Sequence, residues 1–258
     1  MPETQISLRI WRQPADGRER AGFQTFEVTT DPKRDMVLDL IERAWAEGDR
    51  TLVFRHACHH ASCGTCAVLV DGRERLPCVT SVESVCDGHS PLTLRPLRNV
   101  TVVADLAIEP SAMLSTMAAL PLPYVRTVER EVRACSGGDG DGDVGTAERF
   151  EDCLECLACV SACPVASGDP DYLGPAVLAA AQRIVEEPRG VDVGRVIDLV
   201  DSEHGVWQCR SIWACTAVCP SNVDPAARIM DLRRRLITSA WPAAPAPRTP
   251  VGAGANHV

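Results

Sequence analysis

Ile6, Leu8 and Ile10 alternate with Gln5, Ser7 and Arg9, the period-two pattern of a strand with one buried face. A second alternating run carries Phe23, Phe26 and Val28 with one slip that leaves its register open, and Gly17 and Gly22 bracket the polar turn between the two. Val37, Leu40, Ile41, Ala44 and Trp45 then fall at helical spacing, with Asp35 where an N-cap is expected. Residues 67–70, the pair Asp71-Gly72 and residues 73–76 read as a hairpin, and residues 91–95 as a closing strand. The order strand, strand, helix, strands is that of a β-grasp sheet. After about residue 105 helical periodicity takes over, over 173–185, 193–200 and 225–236. Residues 136–143 are too polar and glycine-rich to pack and read as a mobile loop; residues 242–258, rich in Ala, Pro and Gly, read as disordered. The pattern predicts an α+β chain: a β-grasp domain over 1–105, an all-α domain over 106–240 and a disordered tail over 241–258.

Composition narrows the function. The chain has 258 residues, 45% of them hydrophobic, enough for two domains with real cores. A formal charge of −9 argues against nucleic-acid binding, which needs a basic face. No run reaches the roughly 18 apolar residues of a membrane span; the nearest, 113–125, is broken by Pro121 and Pro123. The opening Met1-Pro2-Glu3-Thr4-Gln5 lacks the basic-then-apolar order of a secretory signal. A soluble or peripheral protein is expected. Thirteen cysteines in such a chain are an outlier, and their odd number and clustering point to metal ligation rather than disulfides.

Spacing decides which metal chemistry. Cys58, Cys63, Cys66 and Cys78 form C-x4-C-x2-C followed by a fourth cysteine eleven residues on, the plant-type [2Fe–2S] pattern. Ala61 and Gly64 are small enough to let the loop backbone approach the sulfurs. A zinc ribbon would want two C-x2-C knuckles instead. His59 and His60 lie inside this loop; four cysteines already fill the site, so both read as solvated residues or ones facing a partner. Further on, Cys153, Cys156, Cys159, Cys163 and Pro164 form C-x2-C-x2-C-x3-C-P, the bacterial ferredoxin run whose fourth cysteine serves a second cluster. Cys209, Cys215, Cys219 and Pro220 supply that second run, with Ile212 where its middle cysteine belongs. An aliphatic side chain cannot bind iron. Cys163, Cys209 and Cys215 therefore suit a [3Fe–4S] cluster, while Cys219 crosses back to complete Cys153, Cys156 and Cys159 around a [4Fe–4S] cluster. Eleven of the thirteen cysteines are then used, and Cys86 and Cys135 read as small buried hydrophobes.

From about residue 5 to 238 this arrangement resembles the iron–sulfur subunit of succinate dehydrogenase and fumarate reductase. The resemblance implies a plant-type ferredoxin domain followed by a bacterial-ferredoxin-like one, with the cluster ligands that spacing already indicates. It also implies partners: a flavoprotein with covalently bound FAD, and an integral membrane anchor holding quinone, at the cytoplasmic face of the cell membrane. Electrons from succinate would leave the flavin singly and pass through the three clusters to quinone, as in respiratory complex II. No residue of this chain need act catalytically. Fumarate reduction by the reverse path, or service to another flavin-linked dehydrogenase, is the alternative. A free-standing carrier would need only one of the two domains. Many ubiquinone-reducing relatives carry tryptophan at the position of Gly168 and histidine at that of Arg210, so the quinone pocket differs from theirs. Pro164, Trp207, Arg210, Ile212 and Trp213 are the quinone-proximal candidates, with Arg210 expected to tune the terminal cluster. Trp207 and Trp213 read equally as core residues, the more usual place for large aromatics.

Overall fold

The computed structural model describes residues 4–15, 21–86, 91–120, 153–186 and 193–238. Gly17, the loop at 136–143, Cys135 and the tail from 241 lie outside the described residues. β1 (Thr4–Arg12) and β2 (Gly22–Thr30) pair antiparallel along their whole length. With β3 (Val68–Val70), β4 (Arg73–Arg75) and β5 (Leu92–Arg95) they make one mixed sheet in the order β2-β1-β5-β3-β4, with β1 and β5 parallel. Ile6, Leu8 and Ile10 face the core, as their alternation requires.

The slip in the second run is resolved by the opposite face. Phe26, Val28 and Thr30 point inward, while Phe23 points outward against Trp11, its ring 5.1 Å away edge to face. Arg9 sits 4.0 Å above the Phe23 ring and Arg95 4.6 Å from Trp11, so the outer face is a stack of aromatics and guanidinium groups. In the predicted hairpin, Asp71 and Gly72 both adopt positive φ, 48° and 80°, as a two-residue turn of this hand demands.

α1 (Val37–Arg43) buries Val37, Leu38, Leu40 and Ile41 and continues into a π-helical turn, Ala44–Gly48. Trp45 lies on the exposed side of that turn, so the apolar stripe ends at Ala44. Asp35 is not the cap. Met36 holds that position and its N–H donates to the Asp39 carboxylate at 2.7 Å. Asp35 instead accepts from the Arg43 guanidinium, from Thr30 Oγ1 and from Asp31 N–H, and the Arg43 contact above all holds its carboxyl down at about 2.

A second hairpin, β6 (Thr101–Ala104) with β7 (Ala107–Glu109), straddles the point where the sequence texture changes. Its turn is tied to the sheet: the buried Asp105 carboxylate accepts from Gln13 N–H and Val53 N–H, each at 2.8 Å. Leu106 and Ile108 belong to the sheet's core.

Beyond it the described elements are helices: α2 (Ser111–Ala119), α3 (Ala158–Ser161), α4 (Gly174–Glu186), α5 (Val193–Val200), α6 (Ala214–Ala217) and α7 (Pro225–Thr238). α4 is buried from Gly174 to Val185 and forms the axis of a second core with Val196, Val200, Ile229 and Leu232. Its one buried amide, Gln182, accepts from Arg228 at 2.8 Å and donates to Asp231 at 3.0 Å, so both ends of that amide are satisfied. The two cores are locked together. Leu157 inserts into the first, Asn99 donates to the carbonyls of Val160, Ser161 and Cys163 at 2.9–3.1 Å, and Ser161 Oγ donates to buried Glu74 at 2.8 Å. No helix among the described residues is long and apolar enough to cross a membrane.

Candidate iron–sulfur cluster sites

Residues 55–66 leave the sheet as a loop that three left-handed residues curl inward: His59 (φ 59°), Ala61 (φ 58°) and Gly64 (φ 68°). That curl aims the N–H groups of His60 and Ser62 at Cys58 Sγ, at 3.5 and 3.3 Å. Those donors, His60 first, bring the half-buried Cys58 thiol down to about 5. Thr65 Oγ1 lies 3.2 Å from Cys63 Sγ. Cys66 sits before β3 and Cys78 in the helical turn Pro77–Val79, and their sulfurs are 3.5 Å apart. Both are buried, and burial pushes the Cys66 thiol up to about 12. All four predicted cysteines thus meet in one place.

Gly64 carries the junction to the next group. A Cβ there would stand 2.7 Å from Cys156 Cβ and 2.7 Å from Leu154 O, closer than atoms can approach. Only glycine allows both the positive φ and this contact, and the first cysteine loop abuts the second run directly.

The two C-P runs follow the same backbone path. Glu155 and Leu157 have φ of 52° and 66°; Ser211 and Trp213, six residues before Cys219-Pro220 as Leu157 is before Cys163-Pro164, have 55° and 65°. Leu157 leads into the short helix α3 and Trp213 into α6. Ile212 therefore occupies the backbone setting of Cys156. The runs interleave: one cavity is lined by Cys153, Cys156, Cys159 and Cys219, another by Cys163, Cys209 and Cys215 together with Ile212. These are the two sets that spacing predicts.

The Cys159 thiol is raised well above the ordinary range, by burial first and neighbouring cysteines second. Burial likewise lifts Cys153 and Cys215 to about 11. At the rim, Ser211 N–H and Val223 N–H lie 3.4 Å from the sulfurs of Cys209 and Cys219 respectively. Tyr172, which the sequence reading passed over, lines the three-cysteine cavity; its hydroxyl is buried without a hydrogen-bond partner, and burial beside Cys209 raises its pKa. Its only sequence signal was a tyrosine nine residues after Cys163 in a polar stretch.

Pro164, Arg210, Ile212 and Trp213 line that same cavity, and Trp207 stands apart from it. Neither tryptophan is core: each is 45% exposed, and Ile212 is 60% exposed. Trp207 is held at the surface by its N–H on Asp201 Oδ1 and by Arg233, which also donates to the carbonyls of Val206, Trp207 and Cys209. Cys86 is half-buried against the first core.

Comparison with known proteins gives two domain matches: a 2Fe-2S iron–sulfur cluster binding domain over residues 7–115 and a 4Fe-4S dicluster domain over 148–223. The fumarate reductase iron–sulfur subunit of Mycobacterium tuberculosis is 31% identical over 235 residues, covering 91% of this chain and 94% of that one. The chain belongs to the succinate dehydrogenase and fumarate reductase iron–sulfur subunit family. Within that family, the succinate dehydrogenase iron–sulfur subunit of Paracoccus denitrificans is 28% identical over 92% of this chain and 91% of its own length. A chain of the Mycobacterium smegmatis Sdh1 complex in the apo form shares the fold, with a TM-score of 0.74 at 23% identity over 92% of this chain and 98% of that chain. As a family member the protein is an iron–sulfur protein of electron transport, with 2Fe-2S and 4Fe-4S domains in that order.

Proposed function

We propose that this chain is the electron-transfer subunit of a succinate:quinone oxidoreductase, carrying electrons from the FAD of a partner flavoprotein to quinone in a membrane anchor at the cytoplasmic face. The observation that supports it most is the convergence of eleven cysteines into three groups, the last with Ile212 in the backbone setting of a ligand. Cys58, Cys63, Cys66 and Cys78 would hold a [2Fe–2S] cluster, Cys153, Cys156, Cys159 and Cys219 a [4Fe–4S] cluster, and Cys163, Cys209 and Cys215 a [3Fe–4S] cluster. The donor sets fit: cysteine sulfurs gather in three groups, and the stranded Tyr172 hydroxyl lines the third of them. When bound, the clusters supply one-electron redox chemistry.

The residues of this chain hold the three groups close together. Gly64 brings the first loop against Cys156, and α3 presents Cys159 to the second group just before Cys163 joins the third. Cys159 lines the cavity at the middle of the path with Cys153, Cys156 and Cys219. Ile212, Trp213, Arg210 and Pro164 form the exposed end, where quinone would approach. The first unit reads as a β-grasp ferredoxin domain and the second as an all-α one. The division falls after the hairpin at 101–109, since Asp105, Leu106 and Ile108 are anchored in the first.

EPR of the purified complex under graded reduction, with iron and sulfide assays, tests this reading. About nine irons per chain and three distinct signals are expected, alongside succinate oxidation by the co-purified flavoprotein. Ile212→Cys is expected to convert the oxidised three-iron signal into that of a reduced four-iron cluster. A complete cubane at Cys163, Cys209 and Cys215 in the wild type, or colourless protein, would overturn it.

A further inference from the structure

Beside the first cysteine loop, but using none of its cysteines, three other ligand-type atoms converge. Glu42 lies in the last turn of α1, and His56 and His59 lie on the loop that leads to and follows Cys58. Glu42 Oε1 is 3.3 Å from His56 Nδ1 and 3.5 Å from His59 Nε2, and the two ring nitrogens are 3.0 Å apart. A cation bound tetrahedrally at about 2.0–2.1 Å from N and O ligands places them about 3.3–3.4 Å from one another, the edge of the tetrahedron. An octahedral site would draw them to about 2.9 Å by the same bond lengths. With edges of 3.0, 3.3 and 3.5 Å, the observed triangle is on average nearer the face of a tetrahedron.

Hydrogen bonding does not account for this triangle. The two imidazole nitrogens can share one proton between them, and Glu42 Oε1, shielded from solvent, is then left with no hydrogen-bond partner. A stranded carboxylate oxygen is costly, and a cation satisfies all three atoms at once. The surroundings also hold the rings in place. Phe54 stacks on His56 with centroids 5.2 Å apart at 19°, and His59 meets His56 edge-on at 5.2 Å. His59 pays for its position with a left-handed backbone, φ 59°, a conformation that costs a β-substituted residue about 1 kcal/mol. The fourth corner opens on a groove lined by Trp45, Leu52 and Phe54, with room for water or a further ligand.

We propose that Glu42, His56 and His59 form a separate binding site for a tetrahedral divalent cation of the zinc type, placed beside the exposed corner of the first cluster. Two imidazoles and a carboxylate suit that ion. His59 directly follows Cys58, so the bound charge lies next to the loop that holds Cys58 Sγ, and it favours the reduced, more negative form of whatever that loop carries. This last consequence rests on the [2Fe–2S] reading above; the binding itself does not.

The test uses the purified complex, dialysed against chelator and then titrated with Zn2+, with bound metal counted by mass spectrometry and affinity taken from calorimetry. One Zn2+ per chain is expected. Glu42→Gln, nearly isosteric, and His56→Gln should each weaken binding by about tenfold or more, while Cys86→Ser leaves it unchanged. EPR redox titration should show the [2Fe–2S] midpoint potential rising with Zn2+ in the wild type and not in Glu42→Gln. No stoichiometric zinc in the wild type, equal affinity in both site variants, or loss of zinc in Cys86→Ser overturns the proposal. So does zinc that binds with the potential unmoved, since that places the ion elsewhere. Absence of any [2Fe–2S] signal, with zinc still bound at these residues, sinks the cluster reading and leaves the cation site standing.

Discussion

The first cysteine loop and the helical cysteine cavities present the same side chain in opposite ways. At Cys58, half-buried, backbone N–H groups draw the thiol down to about 5. At Cys159, also half-buried but packed among other cysteines, burial raises the thiol far above the ordinary range. An anion ligand can be stabilised by donors aimed at it or by the cation it binds. Cys58 uses the first device, while the thiols that burial raises, Cys66 as well as Cys159, would rely on the second. Cys163 belongs to the second hydrophobic core itself, and Cys153, Cys209 and Cys219 pack against it. Cys66 and Cys78 likewise belong to the first core, so in both units the ligand cysteines are part of the packing.

Variants that strain this contrast should rank by how deeply they reach into the enclosed region. Cys159→Ala is the largest: both helical clusters and the packing of α3, α4 and α6 should fail, so that iron falls from about nine to about two per chain and far-UV circular dichroism loses helix. Cys58→Ser, at the exposed corner, should leave the helical signals in EPR intact. Next is Gly64→Ala, which adds a Cβ at positive φ against Cys156 and Leu154 O; a loss of about 3 kcal/mol in denaturant unfolding is expected. Asn99→Ala strips the donor from three carbonyls at the junction, and about 2 kcal/mol should follow in the same measurement. The smallest is Tyr172→Phe. It removes a hydroxyl with no protein partner, so thermal stability should hold or rise slightly, while the midpoint potential of the proposed three-iron cluster falls for want of a donor.

The sequence was most legible where chemistry imposes spacing. All eleven proposed ligands gather as C-x4-C-x2-C and the paired C-P runs require, and β1, β2, the Asp71-Gly72 hairpin and the helices α4, α5 and α7 lie where periodicity puts them. It was least legible where a residue's meaning depends on a distant neighbour. Asp35 looked like a helix cap and is instead an anchor for Arg43, because Asp39 reached Met36 first. Trp207 and Trp213 looked like core by size and stand half-exposed, Trp207 pinned by Asp201 and Arg233 from other elements. The hairpin at 101–109 was lost in the apparent change of texture, though the alternation of Ala104, Leu106 and Ile108 could have signalled it.

Local patterns along the chain were enough to sort the cysteines into the sets that line the two helical cavities and to propose which group lacks a corner, since bonding distance and backbone reach dictate those spacings. Tertiary structure alone decided how the groups abut, which thiols burial raises, and that Glu42 meets two histidines. Contacts between residues far apart in sequence, and the water they exclude, leave no periodic trace to read.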